Sequence, residues 1–384
     1  MNQIKIPILD LKPQYQTIKA EIHQAIDRVL ESGHYILGTE VQQFEQEAAS
    51  YLGVKHAVGV NSGTDALVIG LRSAGIQEGD EVITTPFSFF ATAESISNVG
   101  AIPIFADVEA NSFNINPDAI RKQITARTKA ILPVHLYGQP AAMGQIMEIA
   151  EEYDLKVIED CAQSFGARYY SNCRSCQGSC SEKTQQELYG KQTGTMGDVG
   201  AFSFFPSKNL GSYGDGGLIV TNNDAIAQTA RMLRAHGARK KYHNEVLGYN
   251  SRLDTIQAAI LRVKLQYIDQ WNQGRFRVAK RYNELLADIA NVMLPEWVEG
   301  HVFHQYTVRI LGGKRDRAQE KLAAAGIGSM VYYPVPQDRL PVYEGQYPTS
   351  HVSEMLAEQV LSLPMWAELD NALIEAVVKG LKIS

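Results

Sequence analysis

Residues 57–75, AVGVNSGTDALVIGLRSAG, decide the reading of the fold. AVGV is a short apolar run, NSGTD a turn, and the remainder carries the apolar spacing of a helix. Strand, turn and helix in that order form the repeating unit of an α/β sheet. The unit recurs downstream. EVITTP (81–86), IPIFADV (102–108), KAILPVHLY (129–137), LKVIED (155–160), GAFSFF (200–205) and GGLIVTN (216–222) read as further strands. Helical stretches such as ATAESISNVG and AAMGQIMEIAEEY lie between them. The strands are almost continuously apolar rather than alternating, as expected of a mostly parallel sheet covered by helices on both faces. In such sheets ligands bind beyond the carboxyl ends of the strands.

Upstream, Tyr15, Ile18, Ile22, Ile26 and Val29 predict one amphipathic helix, and Val41, Phe44, Ala48 and Leu52 a second. The pattern changes near residue 250. SRLDTIQAAILRVKLQYIDQWNQGRFRVAKRYNELLADI reads as one very long, bent helical stretch. After it come a strand (HVFHQYTVRIL), a helix (KRDRAQEKLAAAG), a strand (GSMVYYP) and closing helices. The expected division is a large domain over 1–250 and a smaller α+β domain over 251–384.

The totals narrow the function. A chain of 384 residues with 45% hydrophobic and 20% charged residues is ordinary for a globular enzyme. A net charge of −6 argues against a nucleic-acid partner. There is no run of membrane-spanning length and no signal-peptide core at the start, so the expected location is the cytoplasm.

Chemistry-bearing residues fall where strands end. Lys208, in SFFPSKNLGSYGDGG, follows a buried strand among Phe204, Phe205, Pro206 and Leu210. Desolvation there favours a neutral amine, the form that makes an imine. Taken alone, it reads first as a surface lysine after a strand. Asp160 ends LKVIED and could face a ring nitrogen, or simply cap a helix. In NSGTD, Gly63 allows close backbone approach, and Ser62 and Thr64 could donate to a phosphate at a helix N-terminus. Helix capping is the plain alternative. The motif is neither a dinucleotide fingerprint nor a Walker loop. Phe89 could stack on a flat ring or pack in the core, and Ser203, five residues before Lys208, could reach the same phosphate. Together these suit pyridoxal phosphate (PLP).

The chain resembles the nucleotide-sugar aminotransferases, the DegT/DnrJ family of fold-type I PLP-dependent enzymes. The likeness runs nearly end to end, through IPILDLKPQY, SGHYILGTEVQQFE, NSGTDAL, GDEVITTPFSFFATAE, TKAILPVHLYGQP, VIEDCAQSFGA, GAFSFFPSKNLGSYGDGG, NSRLDTIQAA, VYYPVP and VLSLPM. The resemblance implies a seven-stranded, mostly parallel sheet and a homodimer with shared active sites. It implies Lys208 as the Schiff-base lysine, Asp160 facing the pyridine nitrogen and Gln163 at the ring hydroxyl. Gly63, Thr64 and Ser203 would hold the phosphate, and Phe89 would stack on the ring. Asn250 would reach the phosphate from a partner subunit. The implied reaction is ping-pong. An amino-acid donor such as L-glutamate leaves pyridoxamine phosphate, which aminates a keto-hexose linked to a nucleoside diphosphate. The motif spellings look more like the 3-amination branch. Related dehydratases carry histidine in place of the lysine, so Lys208 favours transamination. A PLP-dependent lyase or dehydratase and a non-catalytic PLP-binding regulator are the alternatives. His135, Arg239, Lys240, His304, Gln305, Tyr332 and Tyr333 lie in stretches similar to sugar-nucleotide contact regions.

One segment departs from the family. Residues 169–197 form an insertion, polar enough to read as an exposed loop, and carry Cys173, Cys176 and Cys180 in a C-x2-C-x3-C pattern. That spacing could serve zinc or an iron–sulfur cluster given a fourth ligand. No fourth ligand is evident, so the reading taken is a surface loop with incidental thiols and no metal.

Overall fold

The computed structural model describes residues 5–170 and 180–382. Helices α1 (Lys12–Ser32) and α2 (Thr39–Leu52) lead into β1 (His56–Val60) and α3 (Gly63–Ser73). There follow β2 (Glu81–Thr84), α4 (Ala91–Asn98), β3 (Ile102–Phe105), α5 (Pro117–Gln123) and β4 (Thr128–Leu132). Next are α6 (Met143–Tyr153), β5 (Lys156–Asp160), α7 (Glu182–Leu188), β6 (Val199–Ser203), β7 (Gly217–Thr221) and α8 (Asp224–Leu233). A small hairpin, β8 (Ala238–Lys240) and β9 (His243–Asn244), precedes α9 (Thr255–Leu265) and α10 (Ile268–Leu286). The chain closes with β10 (Val292–Met293), β11 (Tyr306–Ile310), α11 (Arg315–Ala324), α12 (His351–Gln359), β12 (Val360–Leu363) and α13 (Asn371–Leu381).

The strands β1 to β7 form one seven-stranded sheet in the order β1-β7-β6-β5-β4-β2-β3. All pair in parallel except β7, which runs antiparallel to both β1 and β6. The sheet is an α/β core with both faces covered, as the apolar strands require. On one face Leu67, Ile69 and Leu71 of α3 pack with Ile226, Ala230 and Leu233 of α8. On the other, α1, α2 and α9 bury Ile22, Phe44 and Ile260 against Phe202, Phe204 and Leu218. The seven strands expected between residues 57 and 222 are all realised in this sheet.

Four expectations change. The long helical stretch is two helices, α9 and α10, parted at Gln266–Tyr267. There the Tyr267 ring stacks on Trp271 and its hydroxyl donates to Glu21 of α1 at 2.7 Å. Second, residues 253–271, grouped by sequence with the smaller unit, give Leu253, Ala258, Leu261 and Trp271 to the core beneath the large sheet. The three-stranded sheet β10-β11-β12 has its own core with α10, α11 and α13. Third, GSMVYYP is no strand and makes only a bridge between Met330 and Ser362, while VLSL supplies β12. Fourth, part of the insertion is a helix. Ser181 caps α7, and Glu148 of α6 accepts from the Ser181 backbone and the Thr184 hydroxyl at 2.7 and 2.9 Å. Cys180 is buried against α6, close enough that a Cβ on Gly144 would lie 2.7 Å from its sulfur. Cys173 and Cys176 lie outside the described residues. Among the described residues no helix is long and apolar enough to cross a membrane.

Phe204 joins the sheet to its helices. It is fully buried, with ring centres of Phe44 and Phe165 at 5.4 and 6.1 Å. Phe204→Ala is expected to cost about 3–5 kcal/mol in urea denaturation, with the slope unchanged. A loss under about 1 kcal/mol would contradict this packing.

Candidate active site at the carboxyl ends of the strands

A cavity of about 410 Å³ opens above the carboxyl ends of the central strands. Its floor is Asp160, the last residue of β5. One carboxylate oxygen accepts from the Ala162 N–H at 3.1 Å and the other from the Thr92 hydroxyl at 2.8 Å. Burial raises the proton affinity of Asp160; the Ala162 and Thr92 bonds, then Lys208, pull it back. Behind it sits Glu159, wholly buried. Successive residues of a strand face opposite sides of the sheet, so one acid faces the cavity and the other faces away. Glu159 accepts from Gly194, Met196 and Gly197 N–H groups at 2.8, 2.8 and 2.7 Å. His135 contacts it through Nε2 at 2.9 Å.

Lys208 enters the same cavity from the turn after β6. Its N–H donates to the Phe205 carbonyl at 2.8 Å. Burial draws its amine down to about 8, and Asp160 works in the opposite direction. Together they place a partly neutral amine and a buried carboxylate in one cavity.

The rim comes from the start of α3. Ser62 caps the helix by accepting from the Asp65 N–H at 3.1 Å, and Gly63 and Thr64 line the cavity. A side chain at Gly63 would put its Cβ 2.6 Å from the Ser203 Cβ, so glycine is required for β6 to approach this helix end. Phe89 stands at the mouth, 60% exposed, its ring centre 6.4 Å from that of Tyr333. Gln163 is held at both ends. Its Oε1 accepts from the Tyr137 N–H at 2.6 Å, and its Nε2 donates to the Tyr333 hydroxyl at 3.0 Å.

His304, Gln305, Tyr332 and Tyr333 form the wall on the C-terminal side. His304 Nδ1 lies 3.0 Å from Asn209 Oδ1. Asn209 Nδ2 donates elsewhere, so that oxygen is the acceptor and His304 carries its proton on Nδ1. Burial, then Lys208 and Arg275, hold His304 well below its usual range, and the imidazole is neutral.

Four expected residues lie elsewhere. His135 is fully buried and does not line the cavity. Its Nδ1 accepts from the Ala141 N–H at 3.0 Å while Nε2 contacts Glu159, so neither ring nitrogen is left for a substrate. Arg239 and Lys240 project from the exposed β8–β9 hairpin, Arg239 paired with Glu245 at 3.2 Å. Asn250 is exposed, bridges Ala235 and does not line the cavity of its own chain. Conversely, Thr92 and Asn209 were not singled out from sequence. Thr92 falls in the stretch read only as helix, and Asn209 sits next to Lys208.

A lysine amine and a buried acid, set above a mostly parallel sheet beside a helix N-terminus, suit the chemistry of an aminotransferase. The chain belongs to the DegT/DnrJ/EryC1/StrS aminotransferase family, whose model matches residues 16–382. A UDP-N-acetyl-3-dehydro-alpha-D-glucosamine 3-aminotransferase from Acidithiobacillus ferrooxidans is 44% identical over 95% of this chain and 94% of its own. A protein named pleiotropic regulatory protein, from Geobacillus stearothermophilus, is 45% identical over 98% of this chain and 97% of its own. Among solved structures, DesV from S. venezuelae superposes with a TM-score of 0.90 at 41% identity, covering 98% of this chain and 97% of that one. NtdA from Bacillus subtilis, solved with the cofactor PMP bound, gives 0.87 at 31% identity, covering 99% and 85%.

The proton affinity of Lys208 is directly measurable. In cofactor-free protein, the rate of Lys208 labelling by an amine-reactive reagent, followed by peptide mapping, should titrate with a midpoint near 8. Asp160→Asn removes the charge that favours the ammonium and should move the midpoint lower. A midpoint at the ordinary lysine value, or an upward move in Asp160→Asn, would contradict the geometry.

Proposed function

We propose that the chain is a PLP-dependent aminotransferase that moves an amino group from an amino acid, L-glutamate foremost, to a keto-hexose carried on a nucleoside diphosphate. The observation that carries the reading is the pairing of Lys208 and Asp160 in one cavity whose rim is the N-terminus of α3. The family's chemistry and the PMP bound to NtdA support PLP as the cofactor. Bound there, it supplies an electron-withdrawing ring on which the amino group changes hands.

The residues divide the work. Lys208 would hold the cofactor through its amine and, once released, would serve as the base and acid that moves the proton. Its lowered proton affinity suits it to give and take that proton near neutral pH. Asp160, held by Thr92 and Ala162, faces the ring nitrogen and keeps it protonated. Gly63, Thr64 and Ser203 hold the phosphate, with the helix end favouring its charge. Phe89 covers the ring face, and Gln163, fixed by Tyr137 and Tyr333, sits at the ring hydroxyl. His304, Gln305, Tyr332 and Tyr333 face the substrate.

The same reading includes a homodimer. The partner subunit's Asn250 would complete the phosphate site, and Arg239 and Lys240 would meet a pyrophosphate across the interface. Phe205 beside the cavity, 52% exposed, and Tyr242 and Leu247 beyond it, each 87% exposed, give apolar surface for a second copy to cover. Amination at C3 is favoured by the name of the Acidithiobacillus relative. A nucleotide-linked substrate and an amino-acid donor would suit a cytoplasmic location. The regulatory name of the Geobacillus relative keeps a non-catalytic role as the second reading.

Borohydride reduction after incubation with PLP, followed by peptide mass mapping, tests the assignment. The phosphopyridoxyl group is expected on Lys208 and on no other residue, and Lys208→Ala is expected to lose it. In a separate reaction, unreduced protein given L-glutamate and a 3-keto nucleotide sugar should yield the C3 amino sugar, and given a 4-keto nucleotide sugar should yield none. A deaminated or dehydrated sugar would mark the lyase reading instead. Label at another lysine, or none, would overturn the role of Lys208.

A further inference from the structure

Lys264 on α9 is only 1% exposed and has no part in the chemistry above. Its amine donates to the carbonyl of Gly211. Nζ lies 5.0 Å from the ring centre of Tyr213 and 5.7 Å from that of Trp271. Gly211 and Tyr213 belong to the turn that follows Lys208. A lysine buried so deeply is expensive unless its amine is used, because a methionine would fill the same space at no desolvation cost. Burial, then Arg275 of α10, draw the amine down to about 7, and Glu368, beyond β12, opposes them. The donation to Gly211 is open to the neutral amine and to the ammonium alike.

The turn is tied down from α9 and α10 throughout. Asn209 Nδ2 donates to Asn272 Oδ1 at 2.8 Å and to the Val302 carbonyl at 3.2 Å. The Tyr213 N–H donates to Gln257 Oε1 at 2.8 Å. At Gly211 a Cβ would lie 2.4 Å from the Pro206 carbonyl oxygen, so the turn doubles back on itself just after Lys208. Lys264 grips the turn at that tightest point.

We propose that Lys264 is a positioning residue for Lys208: held between Tyr213 and Trp271, its amine pins the Gly211 carbonyl and fixes the turn from which Lys208 enters the cavity. The proposal rests on the reading of Lys208 as the residue that bonds PLP. Loss of this grip leaves the Lys208 amine present but free to wander from the cofactor aldehyde, which weakens cofactor binding.

The test uses the full-length protein and Lys264→Met, which keeps the length of the side chain and removes the donor. Four measurements are made: PLP affinity of the cofactor-free protein by absorbance titration, the pH midpoint of the bound cofactor's visible band, the melting temperature, and steady-state kinetics with L-glutamate. Lys264→Met should bind PLP about ten-fold more weakly, from the loss of one buried hydrogen bond of partly charged character. Its pH midpoint should move, and kcat should fall with the KM for L-glutamate little changed. Tyr213→Leu, which opens one wall and keeps the amine, should shift the same quantities by less, and it carries the test if Lys264→Met does not fold. A variant that melts lower yet keeps wild-type PLP affinity and pH midpoint would overturn the positioning role and leave Lys264 a packing residue. Wild type and Lys208→Ala run alongside: a wild type without a band, or a Lys208→Ala that keeps one, overturns the reading of Lys208 and the proposal with it.

Discussion

The carboxylate of Glu159 is the constraint on which the site depends. It is wholly buried and accepts from three backbone N–H groups of residues 194–197 as well as facing His135. A buried carboxylate persists only with its oxygens satisfied, and leaving one unpaired costs several kcal/mol. Glu159 therefore fixes the end of β5 against β4 through His135, and against the segment leading to β6 through the backbone. Because side chains alternate along a strand, fixing Glu159 on one face fixes Asp160 on the other. The same contacts end the insertion cleanly. After α7 the chain is held at Gly194–Gly197 before β6 delivers Ser203 and the Lys208 turn.

From that anchor the charges of the cavity follow. Asp160 and Lys208 are each penalised by burial and each eased by the other. The result is an amine that is partly neutral near neutral pH while an acid stays within the same cavity. His304 adds a neutral imidazole rather than a third charge, because burial and the two nearby cations, Lys208 and Arg275, all disfavour its protonation. The carbonyls of Phe303 and His304 are held in turn by the buried guanidinium of Arg275 at 3.3 and 3.1 Å. The wall of the cavity is thus set by α10 and its floor by β5, and Asn209 ties the Lys208 turn to that wall.

The parallel sheet was legible because strands buried on both faces must be apolar throughout, and each was followed by a turn and a helix. The direction of β7 was not legible, since GGLIVTN reads the same in either sense. The break between α9 and α10 carries no proline or glycine and depends on Tyr267 finding Glu21, a contact distant in sequence. Lys208, Asp160, Gly63, Ser203 and Phe89 all line the cavity, and their place there is legible because each stands at or just after a strand end or near the start of a helix. His135 was placed on the wrong side for the same reason. It too follows a strand, and only the contacts of its ring nitrogens with Ala141 and Glu159 show that it braces the site from behind. Thr92 and Lys264 act through partners far along the chain, which spacing does not reveal.

The most direct test of the account is the absorption spectrum of the purified protein with PLP, recorded before and after addition of L-glutamate. The account predicts a visible band from the lysine-bound cofactor that glutamate converts to the shorter-wavelength absorption of pyridoxamine phosphate, with neither change in Lys208→Ala. A protein that shows no band after incubation with PLP, or a band that persists in Lys208→Ala, would contradict it.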